Sequence, residues 1–133
     1  MCTHDRLADF LTRLRNASSA NHKYVDVSYS NLIFDIAQLL EKEGFIEHVL
    51  CKKDEHGKGT VRLFLRYVGR KKPLIRGIRK ISKQGKRKYV GHDRVPQVFN
   101  GLGIAVVSTS QGVLEGKDAF KKKVGGELLC YVW

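Results

Sequence analysis

The stretch SNLIFDIAQLLEKEGFIEHVL (residues 30–50) decides the fold class, because a helix pattern runs directly into a strand pattern there. Apolar residues recur at helical spacing on one face of its first part. They are Ile33, Ile36, Ala37 and Leu40. Ser30 can cap the start of this helix and Gly44 can end it. The following FIEHVL (residues 45–50) predicts a strand.

More strand patterns lie on both sides of this unit. KYVDV (residues 23–27) alternates before the helix, so the helix becomes a crossover between two strands. VRLFLRY (residues 61–67) alternates after the hairpin loop KDEHGKG (residues 53–59). An apolar stripe near the start predicts a first helix, which Thr3 or Asp5 can cap. The stripe consists of Leu7, Phe10, Leu11 and Leu14.

The second half of the chain is predicted to be mostly strand. GRKKP (residues 69–73) predicts a linker, since proline and a run of charge discourage regular structure. The predicted elements are strands at 75–81, 87–90, 103–110, 113–115 and 126–133, and a short helix at 116–124. We therefore predict an α+β protein of two small domains: an α-β-α-β-β domain at 1–70 and a β-rich domain with short helices at 71–133.

Positive charge is concentrated in the middle of the chain. The 133 residues carry a formal net charge of +12. Between Lys52 and Arg94 there are 16 lysines and arginines against three acids, so this segment carries +13 and the remainder −1. Such a one-sided block is typical of a protein that binds a polyanion such as nucleic acid. The alternative is a solvated face that keeps the protein soluble.

Several classes of function lack their sequence signals. There is no P-loop and no GxSxG elbow, and in GLGIAV (residues 101–106) Val106 stands where a dinucleotide site has its third glycine. Three cysteines (Cys2, Cys51 and Cys130) and five histidines are scattered without metal-ligand spacing. No apolar run reaches the length of a membrane span, and no export signal is recognisable. We expect a non-enzymatic, cytosolic protein without metal or cofactor.

A basic loop is the first candidate binding element. RGIRKISKQGKRKYV (residues 76–90) mixes basic residues with glycine and tyrosine. SKQG (residues 82–85) has turn composition, so Lys83 and Arg87 are expected on a loop where they would meet phosphates. Tyr89 would stack on a base or sugar, or would instead pack on the sheet.

A run of hydroxyls is the second candidate. Ser108, Thr109 and Ser110 follow an apolar strand pattern. Their side chains are short, uncharged donors and acceptors that can reach base edges and 2′-hydroxyls. Alternatively, the serines only cap backbone groups of a turn.

The motif Gly125, Gly126 and Glu127 is the third candidate. Two glycines would allow close approach to a partner. Glu127 would accept from base amino groups or orient a neighbouring donor. The alternative is a simple turn with a solvated glutamate.

Five motifs together resemble a known family. They are LTRLRN (residues 11–16), EGFI (43–46), ISKQGKRKYV (81–90), NGLGIAVVSTSQGV (100–113) and GGELLCYVW (125–133). In order and spacing they are similar to small-subunit ribosomal protein eight of the bacterial and organellar type, over essentially the whole chain. Two departures are visible: Gln84 stands where proline is common, which predicts a less rigid loop, and MCTHDRLADF (residues 1–10) replaces a shorter, more apolar start.

The resemblance implies a protein of the small ribosomal subunit that binds 16S-type rRNA directly and promotes subunit assembly. The implied contact is an irregular minor-groove surface of one helix in the central domain. The residues implied in this contact are Ser108, Thr109 and Ser110, flanked by Tyr89, Gly125, Gly126 and Glu127, with Thr12, Arg15 and Asn16 meeting a second rRNA segment. Neighbouring proteins such as small-subunit protein five, and in some bacteria the messenger of its own operon, are further implied partners.

Two other classes of function stay open on the residues alone. One is a general basic RNA chaperone or DNA-binding module, which would not prefer one rRNA helix over random duplex. The other is an enzyme that acts on RNA, which would cleave or modify labelled rRNA.

Overall fold

The computed structural model describes residues 6–70, 72–83, 85–98 and 101–133. These residues form two compact units, residues 6–75 and Arg76–Trp133. Thr3 and Asp5, proposed as helix caps, and Gln84 lie outside the described residues. Helices together with antiparallel sheets confirm the predicted α+β class.

The N-terminal unit has the predicted order of helices and strands. Its elements are α1 (Arg6–Ser19), β1 (Tyr24–Ser28), α2 (Asn31–Lys42), β2 (Ile46–Lys53) and β3 (Gly59–Leu65). Both strand pairs are antiparallel and the sheet order is β1-β3-β2. Consequently β1 and β2 run in the same direction on the two sides of β3, and α2 is the crossover between them.

Helix α2 begins and ends where the sequence predicts. The Ser30 hydroxyl accepts a hydrogen bond from the amide of Ile33 at 3.1 Å. Gly44 adopts a φ of +84°, a conformation that favours glycine. The amide of Phe45 then donates to the carbonyl of Leu40 at 2.9 Å and closes the helix end.

One side of the N-terminal sheet is buried and the other is not. Along β3, Val61, Leu63 and Leu65 are buried, while Arg62 and Phe64 between them are partly exposed. The helices contribute their apolar stripes to the buried side. These buried helix residues are Phe10, Leu11, Leu14, Ile33, Ile36 and Leu40.

The segment predicted as a linker contains a short strand ladder instead. β4 (Tyr67–Val68) pairs antiparallel with β5 (Lys72–Pro73). The amide of Leu74 donates to the carbonyl of Arg66 at 2.9 Å, so the pair that contains proline is a non-hydrogen-bonded one. Such a pair requires no amide from proline. The expectation that proline discourages regular structure is wrong at Lys72–Pro73, because proline at this register position costs no ladder hydrogen bond. The role of residues 69–73 as a linker stays a prediction.

The C-terminal unit is built around its last strand. Its elements are β6 (Ile78–Lys80), β7 (Tyr89–Val90), β8 (Ile104–Thr109), β9 (Gly112–Glu115), α3 (Gly116–Lys122) and β10 (Gly126–Val132). The order is β6-β10-β8-β9, and β7 pairs with β10 as well, with every pair antiparallel. One edge of β10 therefore holds β8, and the other holds β6 and β7 in succession. Val98, Ala105, Val107 and Leu128 form one buried apolar cluster of this unit.

Candidate nucleic-acid interface

Strand β10 brings three of the predicted residues into one row. Glu127 lies opposite Tyr89 of β7 on one side and opposite Ser108 of β8 on the other. Residues directly opposite in antiparallel pairs point to the same side of a sheet. Tyr89, Glu127 and Ser108, called here the recognition row, therefore share one side. The next pair, Leu128 with Val107, points to the other side and is buried in the core.

The two glycines before Glu127 allow the neighbouring strands to come close. A Cβ on Gly126 would lie 2.0 Å from the carbonyl oxygen of Ser108, and a Cβ on Gly125 would lie 2.5 Å from that of Val90. Any side chain at either position would push a backbone away. The close approach is made to the protein's own strands, whereas the sequence alone suggested an approach to a partner.

The turn after β8 separates the roles of the three hydroxyls. Thr109 Oγ1 donates to the carbonyl of Gly112 at 2.8 Å and accepts from the amide of Gln111 at 3.1 Å. Within the part of the chain that the structure describes, the hydroxyls of Ser108 and Ser110 have no hydrogen-bond partner. Thr109 thus caps the turn, and the two serines leave their donors and acceptors open to an external partner.

The basic loop, which among the described residues comprises Lys83 and residues 85–88, lies in the chain between β6 and β7, which pair with the same edge of β10. The amide of Leu128 donates to the carbonyl of Lys88 at 2.9 Å, which ties one end of the loop to β10. Lys83 and Lys86 exchange backbone hydrogen bonds of 3.1 and 2.9 Å and close its tip. The exposed basic side chains on it are Lys83, Lys86, Arg87 and Lys88.

Glu127 holds this loop beside the recognition row. Its Oε2 accepts from the hydroxyl of Ser82 at 2.5 Å and from a guanidinium N–H of Arg87 at 3.2 Å. The same Ser82 hydroxyl accepts from the amide of Lys88 at 3.2 Å. Because Ser82 is 1% exposed, its hydroxyl depends on these partners. Glu127 therefore orients neighbouring donors, and its negative charge is partly compensated by an arginine.

Sequence reasoning missed Ser82. In SKQG it looks like an ordinary turn residue, and its partner Glu127 lies 45 positions further along the chain. The pairing of β6 with β10, which continues through the hydrogen bonds from the amides of Ile81 and Ser82 to the carbonyl of Leu129, brings the two together. No local pattern could have indicated this contact.

Tyr89 presents its ring to solvent. It is 70% exposed, so it does not pack on the sheet as one alternative held. An exposed aromatic ring beside cationic side chains is suited to stacking on a base or sugar.

Thr12, Arg15 and Asn16 belong to the other unit. All three are exposed on α1, and their spacing of three and four residues puts them on the same side of the helix. This side faces away from the buried Leu11 and Leu14. The three residues thus form one polar helix surface of the N-terminal unit.

The described residues offer little for other chemistries. Across residues 6–70, 72–83, 85–98 and 101–133, no group of three His, Cys, Asp or Glu side chains could hold a metal ion. Burial raises the pKa of the Cys130 thiol to about 12, which keeps it protonated at neutral pH. Cys51 is exposed, and Cys2 lies outside the described residues. Nor does the described chain contain a helix with the length and apolar character needed to cross a bilayer.

The fold and this interface are typical of one class, small basic proteins that bind nucleic acid through shape and charge. The family model described as Ribosomal protein S8 matches residues 5–133. The chain therefore belongs to the ribosomal protein S8 family, which confirms the resemblance drawn from its motifs.

Relatives in several bacteria are similar over their full length. The small ribosomal subunit protein uS8 of Protochlamydia amoebophila is 48% identical over 133 residues, which is 100% of both chains. That of Chlamydia abortus is 49% identical over 131 residues, 98% of each chain. That of Levilactobacillus brevis is 48% identical over 133 residues, again 100% of both.

Proposed function

We propose that this protein is a structural constituent of the small ribosomal subunit, that it binds the central domain of 16S-type rRNA directly, and that it promotes subunit assembly. It acts without catalysis, in the cytoplasm, or in the matrix or stroma where an organelle encodes it. Membership of the ribosomal protein S8 family and the similarity to small-subunit proteins support this proposal.

The observation that carries the proposed RNA contact is the recognition row with its neighbours. Ser108 and Ser110 offer uncharged donors and acceptors, and Tyr89 offers an exposed ring. The minor groove of an RNA helix is wide and shallow and displays 2′-hydroxyls and base edges. Short hydroxyl side chains at the end of β8 and in the turn after it fit such a surface, since they hydrogen-bond without requiring a deep groove.

The positive charge of this surface lies on the basic loop, beside the recognition row. Lys83, Lys86 and Lys88 are exposed on the basic loop and would meet phosphates on either side of the groove. Glu127 would otherwise repel those phosphates, but Ser82 and Arg87 already occupy its carboxylate. In this proposal the loop provides salt-sensitive attraction, and the hydroxyls select the helix.

The proposal includes two kinds of further partner. Neighbouring small-subunit proteins, in particular protein five, would contact it in the assembled subunit. In some bacteria the messenger of its own operon would use the same recognition row, if it presents a helix of the same shape. Support for both comes from the five motifs shared with the family.

The test is a pair of binding measurements on the full chain. We expect the protein to co-sediment with small subunits after a high-salt wash and to bind a central-domain rRNA fragment at least tenfold more tightly than a random duplex of equal length. Equal affinity for both RNAs would mean a general basic chaperone. Cleavage or modification of the labelled rRNA would mean an enzyme. Either result would contradict the proposal.

A further inference from the structure

The N-terminal sheet carries a row of rings on its exposed side. Phe64 of the central strand β3 lies opposite Tyr24 of β1 and opposite His48 of β2. The ring centroids are 5.9 Å apart for Tyr24 and Phe64 and 6.1 Å apart for His48 and Phe64. Tyr24 is 42% exposed, His48 is exposed and Phe64 is partly exposed. A contiguous patch of exposed rings is typical of an interaction surface rather than of a structural one.

A guanidinium adds a fourth planar group to this row. The Cζ atom of Arg62 lies 4.0 Å from the ring centroid of Tyr24. Asp26 fixes its plane, because Nε and Nη2 of Arg62 donate to the two carboxylate oxygens at 2.8 and 3.0 Å. A bidentate pair of this kind orients the guanidinium, which lies over the ring of Tyr24. We call Tyr24, Arg62, Phe64 and His48 the outer sheet face.

A groove next to the rings gives the face room for a flat ligand. Its volume is about 520 Å³, and Phe64, His48, Leu50 and Tyr67 contribute to its walls. Lys23 lines one side of it. The groove thus combines apolar and aromatic walls with a cation that could meet a backbone phosphate.

We propose that the outer sheet face binds an unpaired nucleotide of RNA by packing its base against the inclined rings of Phe64 and Tyr24. Planar side chains on an open sheet are a common platform for single-stranded RNA, because every base offers a π-face. The charges of Arg62 and Asp26 compensate each other, and the groove lining carries one cation, Lys23, which can meet a phosphate, and one carboxylate, Glu47. A duplex would not fit, since its bases are stacked on each other.

This inference goes beyond the proposed function. The recognition row lies in the C-terminal unit and is proposed to contact a helix, whereas the outer sheet face would take a looped-out or single-stranded base. The two sites differ in ligand shape and in residues. Each can therefore fail without the other.

The test uses the full-length protein and short oligoribonucleotides. Hexaadenylate is titrated and followed by NMR, and an abasic hexamer with the same phosphates serves as the matched probe. We expect hexaadenylate to shift the ring resonances of Tyr24, His48 and Phe64, and the abasic hexamer to leave them in place. Equal shifts with both probes, or shifts confined to the C-terminal unit, would overturn the proposal. Ring resonances that shift only when a neighbouring small-subunit protein is added would overturn it as well.

Variants make the test quantitative. Phe64→Leu keeps an apolar residue on the central strand but removes the ring, and Tyr24→Leu does the same on the edge strand β1, where folding is less at risk. We expect each to weaken hexaadenylate binding roughly tenfold, within the range known for loss of one stacking ring. Phe120→Leu, which removes an exposed ring from α3, is the control and should change nothing.

The same variants separate this proposal from the function proposed above. Binding of the central-domain rRNA helix fragment should be unchanged in Tyr24→Leu and Phe64→Leu. If Tyr24→Leu and Phe64→Leu both fold and bind hexaadenylate as the wild type does, the outer sheet face is not a nucleotide site, whatever the recognition row does.

Discussion

Two loops of this molecule, the loop between β2 and β3 and the basic loop, are held in different ways. In the loop between β2 and β3, Asp54 lies within the loop and its carboxylate accepts from the amides of His56 and Lys58 at 2.9 and 2.8 Å. In the basic loop, the corresponding acceptor is Glu127, which lies 40 positions beyond Arg87 and on another strand. The first loop is therefore self-contained, and the second takes its shape from the fold of the whole C-terminal unit.

This difference matters for function because only the second loop borders the recognition row. Glu127 is a member of that row and also the anchor of the loop. Substitutions that disturb β10 should therefore displace both the cationic side chains of the basic loop and the hydroxyls of Ser108 and Ser110. Equivalent changes in the first loop should remain local.

The largest expected effect comes from adding a methyl group where backbones nearly touch. In Gly126→Ala the new Cβ would lie 2.0 Å from the carbonyl oxygen of Ser108, and in Gly59→Ala it would lie 2.1 Å from that of Lys52. Since backbone must move in both, we expect each to lose about 3 kcal/mol of unfolding free energy. Only Gly126→Ala should also lose affinity for the rRNA helix.

Urea unfolding followed by fluorescence of Trp133, the only tryptophan of the chain, and by circular dichroism measures both stabilities. Gly85→Ala, whose Cβ would meet no atom within 4 Å, is the matched control and should be neutral. If Gly59→Ala weakened helix binding as much as Gly126→Ala, the two loops would not be independent.

A smaller effect is expected from removing the anchor of each loop. Glu127→Ala leaves the buried Ser82 hydroxyl without its acceptor, which should cost about 1–3 kcal/mol of stability and also weaken rRNA binding. Asp54→Ala removes two exposed hydrogen bonds and should cost about 1 kcal/mol, with binding unchanged. Denaturant titration and a filter-binding assay on the same samples report the two quantities. Unaltered rRNA affinity in a folded Glu127→Ala protein would mean that the anchor of the basic loop does not contribute to RNA binding.

In the turn after β8, two neighbouring hydroxyls are expected to differ in their effect on stability. Thr109→Val removes the hydroxyl that bonds to Gly112 and Gln111, so we expect a loss of about 1 kcal/mol in stability. Ser110→Ala should leave stability within about 0.5 kcal/mol, since its exposed side chain has no partner among the described residues. Thermal unfolding of the two variants side by side checks this. Equal destabilisation would mean that Ser110, too, serves the turn.

The smallest effect concerns a long-range pair that anchors no loop. Asp26 and Arg62 lie 36 positions apart, and both are partly exposed. The hydrogen bond from Arg62 lowers the pKa of Asp26 below its ordinary value. Stability from this pair is therefore present above about pH 4 and is lost as the pH falls through the lowered pKa.

Asp26→Asn should accordingly cost about 0.2–1 kcal/mol at pH 7 and less than that at pH 2.5, because the acid pH lies closer to the lowered pKa of Asp26. Urea midpoints of wild type and variant at both pH values measure the difference. A larger loss of stability at pH 2.5 than at pH 7 would contradict the lowered pKa of Asp26.

The sequence predicted what depends on near neighbours. The capped helix α2 and the loop around Asp54 both rest on residues within a few positions of one another. The unusual composition of Ser108, Thr109 and Ser110 and of Gly125, Gly126 and Glu127 also drew attention to these segments as candidates. Their role in RNA binding stays a prediction.

What the sequence could not give depends on register. The recognition row exists because Glu127 pairs with Ser108 and Tyr89, and β10 shifts register between Leu128 and Cys130. A shift of one residue would turn Glu127 towards the core. The same applies to Ser82, whose contact with Glu127 depends on the pairing of β6 with β10. It applies also to the division of roles within the three hydroxyls.

The most direct test of the account is the salt dependence of binding to the central-domain rRNA helix in Ser110→Ala and Lys83→Ala. Ser110→Ala should lose about 1–2 kcal/mol, or about 5- to 30-fold, at every salt concentration, with an unchanged slope of log affinity against log salt. Lys83→Ala should reduce that slope by about one. If Ser110→Ala binds the helix as wild type does, or if both variants change only the slope, the hydroxyls do not select the RNA and the account is wrong.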